Sequence, residues 1–287
     1  MVIMGQKIVL SDVVFSDTNL AIIRDDQILS NGSLLLMDFG HSLGGVTGVP
    51  STTVPNVAWK EAAAILGSGT STTLAVTATQ DGATVATKAL TERTLKGGVH
   101  TILSLINQTD VNSISFFSPT AIRDYLYANR LTNSFYFSLW HTITRPGTYG
   151  VSPFHYGSGN GNNLFQSANG LPVAAGTNER SYPYTSDLLV TAGTNKFLNM
   201  NPSGISGTGP TNTQRVEAAT GNVSSWATVG INKSSSRIIY RMYVEDLTVS
   251  GRTYAEVDAI DYAMWQAAFA VGGKFYGDTY TAPSTLP

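Results

Sequence analysis

The stretch Phe135-Tyr136-Phe137-Ser138-Leu139-Trp140-His141-Thr142-Ile143-Thr144 decides the reading of the fold. Phe135, Phe137 and Leu139 alternate with Tyr136, Ser138 and Trp140, which is the two-residue period of a β-strand. Bulk on both sides makes the strand central or interfacial, and Arg145-Pro146-Gly147 ends it in a turn. Arg237 to Glu245 repeats the pattern, with Ile238, Tyr240, Met242 and Val244 on one face and Ile239, Arg241, Tyr243 and Glu245 on the other. Upstream, Gly32-Ser33-Leu34-Leu35-Leu36-Met37-Asp38-Phe39-Gly40 is an apolar run between glycines, read as the first central strand and buried on both faces. Gly98 to Leu105 and Ser113 to Phe117 add strands rich in β-branched or aromatic residues. Between Thr70 and Thr87, Gln80-Asp81-Gly82 predicts a hairpin with arms Ala75 to Thr79 and Thr84 to Lys88, because Asp-Gly supplies positive φ. Ser225 to Ile231 and an edge strand within Lys274 to Thr281 complete the expected strands.

Helical signals are few. Asn56 is placed to cap a short helix from Val57 to Leu66, with Ala58, Ala62, Leu66 and Trp59 inward. Pro119 opens a helix with Ile122, Tyr125 and Leu126 on one face. Thr253-Tyr254-Ala255-Glu256 has capping-box spacing and starts the strongest helix, near residues 254–269. Val257, Ile260, Met264, Ala267 and Ala268 share a face of it, and Gly272-Gly273 stops it. Tyr149 to Ser225 reads as long surface loops linked by short strands. The expectation is a mainly β chain: an antiparallel β-sandwich over residues 31–287 with a few short helices, preceded by an extended arm over residues 1–30.

Composition narrows the function. Of 287 residues only 13% are charged, whereas 34 Thr, 28 Ser, 18 Asn and 28 Gly make up 108, a balance that leans against a metabolic enzyme. A net charge of −2 and 17 dispersed Lys and Arg give no basic stripe for nucleic acid. With no cysteine there is neither a disulfide nor a thiolate metal site. No apolar run reaches the roughly 18 residues of a membrane span, and Met1 to Leu10 lacks a secretory signal, so the expectation is a soluble chain made in the cytoplasm, without membrane insertion.

Side-chain constellations are sparse. His41, His100, His141 and His155 match no metal spacing, so neither a metal nor a cofactor is expected. No Gly-x-Ser-x-Gly elbow occurs, and Gly157 to Gly161 lacks the strand and helix of a phosphate cradle. Glu256-Val257-Asp258-Ala259-Ile260-Asp261 resembles the acidic strand motif of a glucanase family with a lectin-like sandwich. On a strand, alternate acids point one way and could cooperate in glycoside hydrolysis; on the expected helix they diverge, and acids in a first turn simply favour the dipole. Trp140, Tyr149, Tyr156, Tyr182 and Tyr184 are candidate platforms for sugar rings beside Asn- and Ser-rich loops.

Two resemblances add to these readings. Ile238 to Val257 is similar to the closing strand, loop and helix of concanavalin-like or laminin-G-like sandwiches. Gly32 to Phe39, Val54 to Ala63, Lys96 to His100 and Phe135 to Arg145 resemble structural proteins of tailed bacteriophages. The resemblance implies a jelly-roll sandwich, a virion location, and a tail, collar, fibre or capsid-decoration role without enzymatic activity. The implied partners are further copies of the chain, trimers being common among fibres and caps, and other virion proteins. The apolar arm residues Ile8, Leu10, Val14, Phe15, Leu20, Ile22 and Ile23 would dock on a neighbouring subunit by strand addition. The alternatives are a carbohydrate-binding module for a host-surface glycan and, third, a glycan hydrolase using Glu256 and a second acid.

Overall fold

The computed structural model describes residues 24–43, 45–129, 132–148 and 230–287, together with 154–157, 165–168, 171–172, 178–185, 188–195 and 215–222, where from 155 to 217 only the backbone is described. Two seven-stranded antiparallel sheets form a sandwich. The first sheet contains β1 (Ser33–Asp38), β4 (Ala89–Arg93), β5 (Val99–Leu103), β7 (Phe135–Arg145), β11 (Asn178–Thr185), β12 (Leu188–Asn195) and β14 (Ser236–Asp246). The second contains β2 (Thr53–Val54), β3 (Val76–Asp81), β6 (Ser113–Phe117), β8 (Phe154–Gly157), β9 (Phe165–Ala168), β10 (Leu171–Pro172) and β13 (Arg215–Gly221). Their orders are β11-β12-β7-β14-β5-β4, with β1 also on β14, and β10-β9-β8-β13-β6-β3-β2. Among the described residues four α-helices accompany them: α1 (Trp59–Leu66), α2 (Thr120–Ala128), α3 (Leu247–Ser250) and α4 (Tyr254–Phe269).

The inward residues of both sheets meet in one core. Phe135, Phe137 and Leu139 of β7 and Met242 and Val244 of β14 pack with Val76, Ile114, Phe116 and Ala218 of the facing sheet. The other face of β7 carries Tyr136, Ser138 and Trp140 under α4, so both faces of the aromatic strand are buried. The strand lies between β12 and β14, centrally.

In β14 the simple alternation fails at one point. Ile239 pairs with His141 and Arg241 with Trp140, leaving Tyr240 as the extra residue of a bulge. Ile238 and Tyr240 therefore pack beneath α4, whereas Met242 and Val244 turn into the sandwich beside Ile239, so the expected four-residue face is split. β1 is buried along its whole length, as its apolar run predicts, but it pairs only with β14. Along its other edge Asn56 takes the place of a strand: its side chain accepts from the Leu36 N–H at 2.9 Å and donates to the Leu34 carbonyl at 3.0 Å. Asn56 also accepts from the Ala58 N–H at 3.0 Å, but Ala58 itself occupies the N-cap of α1.

Two other expectations are corrected. The Gly82 turn forms with φ 73°, yet β3 pairs with β2 and β6 while β4 pairs with β5, so no hairpin joins them. Thr84 to Lys88 is instead the passage from one sheet to the other. Lys274 to Thr281 is a chain of turns around Gly277 at φ 65°, not an edge strand. Within 149–225 the described residues include the strands β8 to β13, two of them eight residues long, and Leu188 to Val190 lies in β12; the lengths of the expected loops lie outside the described residues. Of the strand expected over Ser225 to Ile231, only Gly230 and Ile231 are described, and they form a turn.

Candidate functional site

The outer face of the first sheet gathers the polar chemistry of the chain. Arg241, Tyr243 and Glu245 alternate along β14 and project there, where each receives a partner from residues 24–33. The Arg241 guanidinium donates twice to Asp26, at 2.9 and 3.0 Å, and once to Asp38 at 3.1 Å. Lys274 reaches Asp38 at 2.7 Å. Burial pushes the Asp26 carboxyl up, but the hydrogen bonds and charge of Arg241 outweigh it and hold the group below the usual carboxylate range. Glu245 accepts from the Ser30 and Tyr243 hydroxyls and from Arg252, whose guanidinium also donates to the Ile28 carbonyl at 2.7 Å. Ile28 and Leu29 are buried against Leu36 and Tyr243. Arg24 pairs with Glu61 at 2.9 Å and Asp25 with Lys60 at 3.2 Å, both on α1.

Residues 24–30 thus belong to the sandwich rather than to an arm. Of the arm expected over residues 1–30 only Arg24 to Ser30 are described, and Ile8, Leu10, Val14, Phe15, Leu20, Ile22 and Ile23 lie outside the described residues.

The C-terminal segment is fastened to the same sheet. Asp278 accepts from the Lys96 N–H at 2.7 Å and the Tyr240 hydroxyl at 3.0 Å, and the Leu95 N–H donates to the Thr279 carbonyl at 3.1 Å. Glu92 accepts from the Thr281 N–H and hydroxyl at 2.8 and 2.7 Å. His100 bridges Glu92 at 2.9 Å and the Thr144 hydroxyl at 2.8 Å, with the Tyr280 ring edge-on at 4.9 Å. Burial lowers the His100 pKa against the pull of Glu92, favouring a neutral ring that donates to Glu92 and accepts from Thr144. The order hydroxyl, imidazole, carboxylate is that of a nucleophile relay. Here the carboxylate is also tied twice to Thr281 and the ring is covered by Tyr280, so the relay works as a clasp on the chain's last turns. Beyond it, Arg145 donates to the Pro283 carbonyl at 2.9 Å and the Leu105 N–H to Pro287 at 3.0 Å.

Of the residues expected to bind sugar, Trp140 alone has a described side chain. Trp140 is buried: Arg241 lies 5.0 Å over its ring, Phe275 meets it edge-on, and its N–H donates to Asp261 at 3.1 Å. It sits on a strand beneath a helix, which removes it as a surface platform. Tyr149 lies outside the described residues; Tyr156 is on β8 and Tyr182 and Tyr184 are on β11, where the side chains are not described.

The acidic segment forms the first two turns of α4, not a strand. Glu256 is exposed and closes the capping box with Thr253, while Asp258 and Asp261 are buried on the opposite side. Asp261 accepts from the Ser138 hydroxyl at 2.6 Å, the Tyr136 hydroxyl at 3.2 Å and Trp140. The inner face of α4 is therefore Val257, Asp258, Asp261, Trp265 and Phe269, rotated from the purely apolar face expected. Among the described residues no three His, Asp or Glu side chains form a metal-binding group. His141 is fully buried with both ring nitrogens unpartnered, His41 bonds the Asp25 carbonyl, and His155 lies on β8.

Sequence reading missed Arg241, Asp261 and the Glu92–His100 pair. The one available signal was charge in otherwise apolar strand and helix patterns, because a charge held in a buried element needs a partner. Among the described residues no helix is long and apolar enough to cross a membrane. Comparison with known proteins finds no matching family model, no similar curated protein and no similar solved structure.

Proposed function

We propose that this chain is a structural subunit of a tailed-phage virion, a tail, collar, fibre or capsid-decoration component, acting through self-association and docking on neighbouring virion proteins. The jelly-roll or concanavalin-like assignment of its sandwich is part of that reading. The observation that carries it is the root at Arg24 to Ser30, where two ion pairs to α1, the Asp26–Arg241 pair and the buried Ile28 and Leu29 fix the chain. The 23 residues preceding that root contain the apolar runs Ile8 to Leu10, Val13 to Phe15 and Leu20 to Ile23. A rigid root followed outward by apolar sequence suits an arm that adds to a partner's sheet edge, where backbone hydrogen bonds supply affinity without charge. The reading places the protein in a virion, with its synthesis in the host cytoplasm, and gives it no enzymatic step. The carbohydrate-module alternative loses Trp140, its one candidate whose side chain is described.

Mass photometry over a concentration series tests the proposal, comparing the full chain with a variant lacking residues 1–23. Removing residues 1–30 would delete Asp26, Ile28 and Leu29 and confuse assembly with folding. The expected result is a discrete oligomer of the full chain that the shortened variant loses while keeping its melting temperature. An oligomer unchanged by the deletion, or a monomeric full chain at every concentration, overturns it.

A further inference from the structure

Asp25, Leu43, Pro55, Val57, Trp59, Lys60 and Ser71 line a cleft of about 200 Å³ with Asn56 at its floor. We infer that this cleft is a binding site for a single neutral pyranose ring, stacked on Trp59 and held at its hydroxyls by Asp25 and Lys60. The inference does not rest on the assembly reading.

The floor is rigid. Asn56 spends its side chain on the Leu34 carbonyl and on the Leu36 and Ala58 N–H groups, and the Val57 N–H donates to the Leu36 carbonyl at 2.8 Å. Asn56 and Val57 are thereby tied to β1, and Trp59, the first residue of α1, is half-buried against the core. Such preorganisation spares a small ligand the cost of ordering its site.

The lining selects the ligand class. Trp59, Pro55, Val57 and the exposed Leu43 supply apolar surface on one side. Beside the indole stand one carboxylate and one ammonium, Asp25 and Lys60, 3.2 Å apart, the ammonium lying 6.0 Å over the Trp59 ring, and Ser71 also lines the cleft. A cationic ligand meets Lys60 and an anionic one meets Asp25, so neither charge is favoured. A wholly apolar ligand would strip water from both charges and return no hydrogen bond. A pyranose offers an apolar C–H face to the indole and, around its edge, hydroxyls that donate to a carboxylate and accept from an ammonium. A cleft of this volume lies below the roughly 300–1,000 Å³ of drug-sized sites, which suits one ring.

Saturation-transfer NMR on the full chain tests the inference, with methyl glucoside, galactoside, mannoside and N-acetylglucosaminide as probes. Concentrations of about 10 mM suit the millimolar affinity expected of a one-ring contact. At least one probe should show transfer to its ring protons, lost in Trp59→Ala and reduced about tenfold in Asp25→Asn. Because Trp59→Ala removes a half-buried side chain, Ser71→Trp serves as a second variant that fills the cleft from its exposed rim, and it too should abolish transfer. No transfer from any probe, transfer unchanged in Ser71→Trp, or equal transfer to choline or acetate overturns the inference.

Discussion

Replacing Asp261 with alanine tests the account of how α4 is fixed to the first sheet. The Asp261 carboxylate accepts from Ser138, Trp140 and Tyr136 in a fully buried position. Removing it strands three donors, each costing about 1–3 kcal/mol when left buried and unpaired. The three share one acceptor group and do not add independently, so the loss should be about 3–5 kcal/mol, or about 10 °C in Tm for a domain of this size. Asp261→Asn keeps the shape but presents a donor to donors, and should cost about 1–3 kcal/mol. Burial raises the Asp261 pKa, against the Ser138 hydroxyl, the Arg241 charge and the Trp140 and Tyr136 donors. The folded state therefore holds this proton more tightly than the unfolded chain. Between the ordinary value of 3.8 and the raised one, this group's contribution to stability falls as pH rises, a slope that the asparagine variant lacks. Urea unfolding across that range, with a double-mutant cycle against Ser138→Ala, measures both effects. A loss below about 1 kcal/mol in Asp261→Ala, or a coupling to Ser138 below about 0.5 kcal/mol, would refute the reasoning.

Two further substitutions probe the same sheet. Burial, reinforced by the Arg237 charge, holds His141 well below its ordinary value of 6.5, so the unfolded chain takes up this proton first and stability is lost as pH falls below that value. His141→Leu should remove up to about 1.4 kcal/mol per pH unit of that slope and match or exceed wild-type stability at pH 7, since both ring nitrogens are unpartnered; chemical denaturation at pH 5 and pH 7 checks it. Arg241→Met should cost about 3–5 kcal/mol at pH 7 by leaving Asp26 buried without its guanidinium, and the gap to wild type should shift toward zero in acid, because wild-type Asp26 contributes stability above its unfolded pKa that is lost as pH falls through the depressed one, a contribution the variant no longer has to lose. Urea unfolding read by circular dichroism down a pH series measures that shift.

The strands legible in the sequence were those whose burial follows the pleat. β7 alternates without interruption and β1 is apolar from Leu34 to Met37, so pattern alone finds both. β14 was found but its faces were misassigned, since nothing in Ile238-Ile239-Tyr240-Arg241 announces the extra residue. Asp81-Gly82 makes the same turn whether the chain doubles back or crosses to the facing sheet, and local chemistry cannot tell these apart. The inner face of α4 was misread for another reason. Counting only apolar residues leaves out Asp258 and Asp261, yet a carboxylate supplied with three donors is a core residue. Trp140 shows the converse, an aromatic near loop-like sequence that lies beneath a helix.

The scarcity of charge is itself part of the architecture. With 17 basic and 19 acidic residues in 287, the chain has few charges to spread over its surface, and several of them tie segments far apart in sequence. Asp26 lies 215 residues from Arg241, and Asp38 lies 236 from Lys274. Pairs that are merely exposed contribute little, whereas Asp26, Asp38 and Arg241 are buried, with the Trp140 ring against the guanidinium, so breaking the Asp26–Arg241 pair is costly; Lys274 stays partly exposed and adds less. Backbone pairing alone would leave residues 24–30 and 274–287 free to peel, because neither segment forms a strand. The ion pairs and the Glu92–His100 clasp supply what the ladder does not. They bring both segments to one sheet face, with Arg241 on β14, which borders β7, β5 and β1. A load applied at Arg24 would thus pass through Asp26 and Arg241 into β14 and be shared among its three neighbours, rather than unzip an edge. If the chain assembles through its N-terminal residues, as proposed, the load would be carried in this way, and the path follows from where the chain spends its few charges.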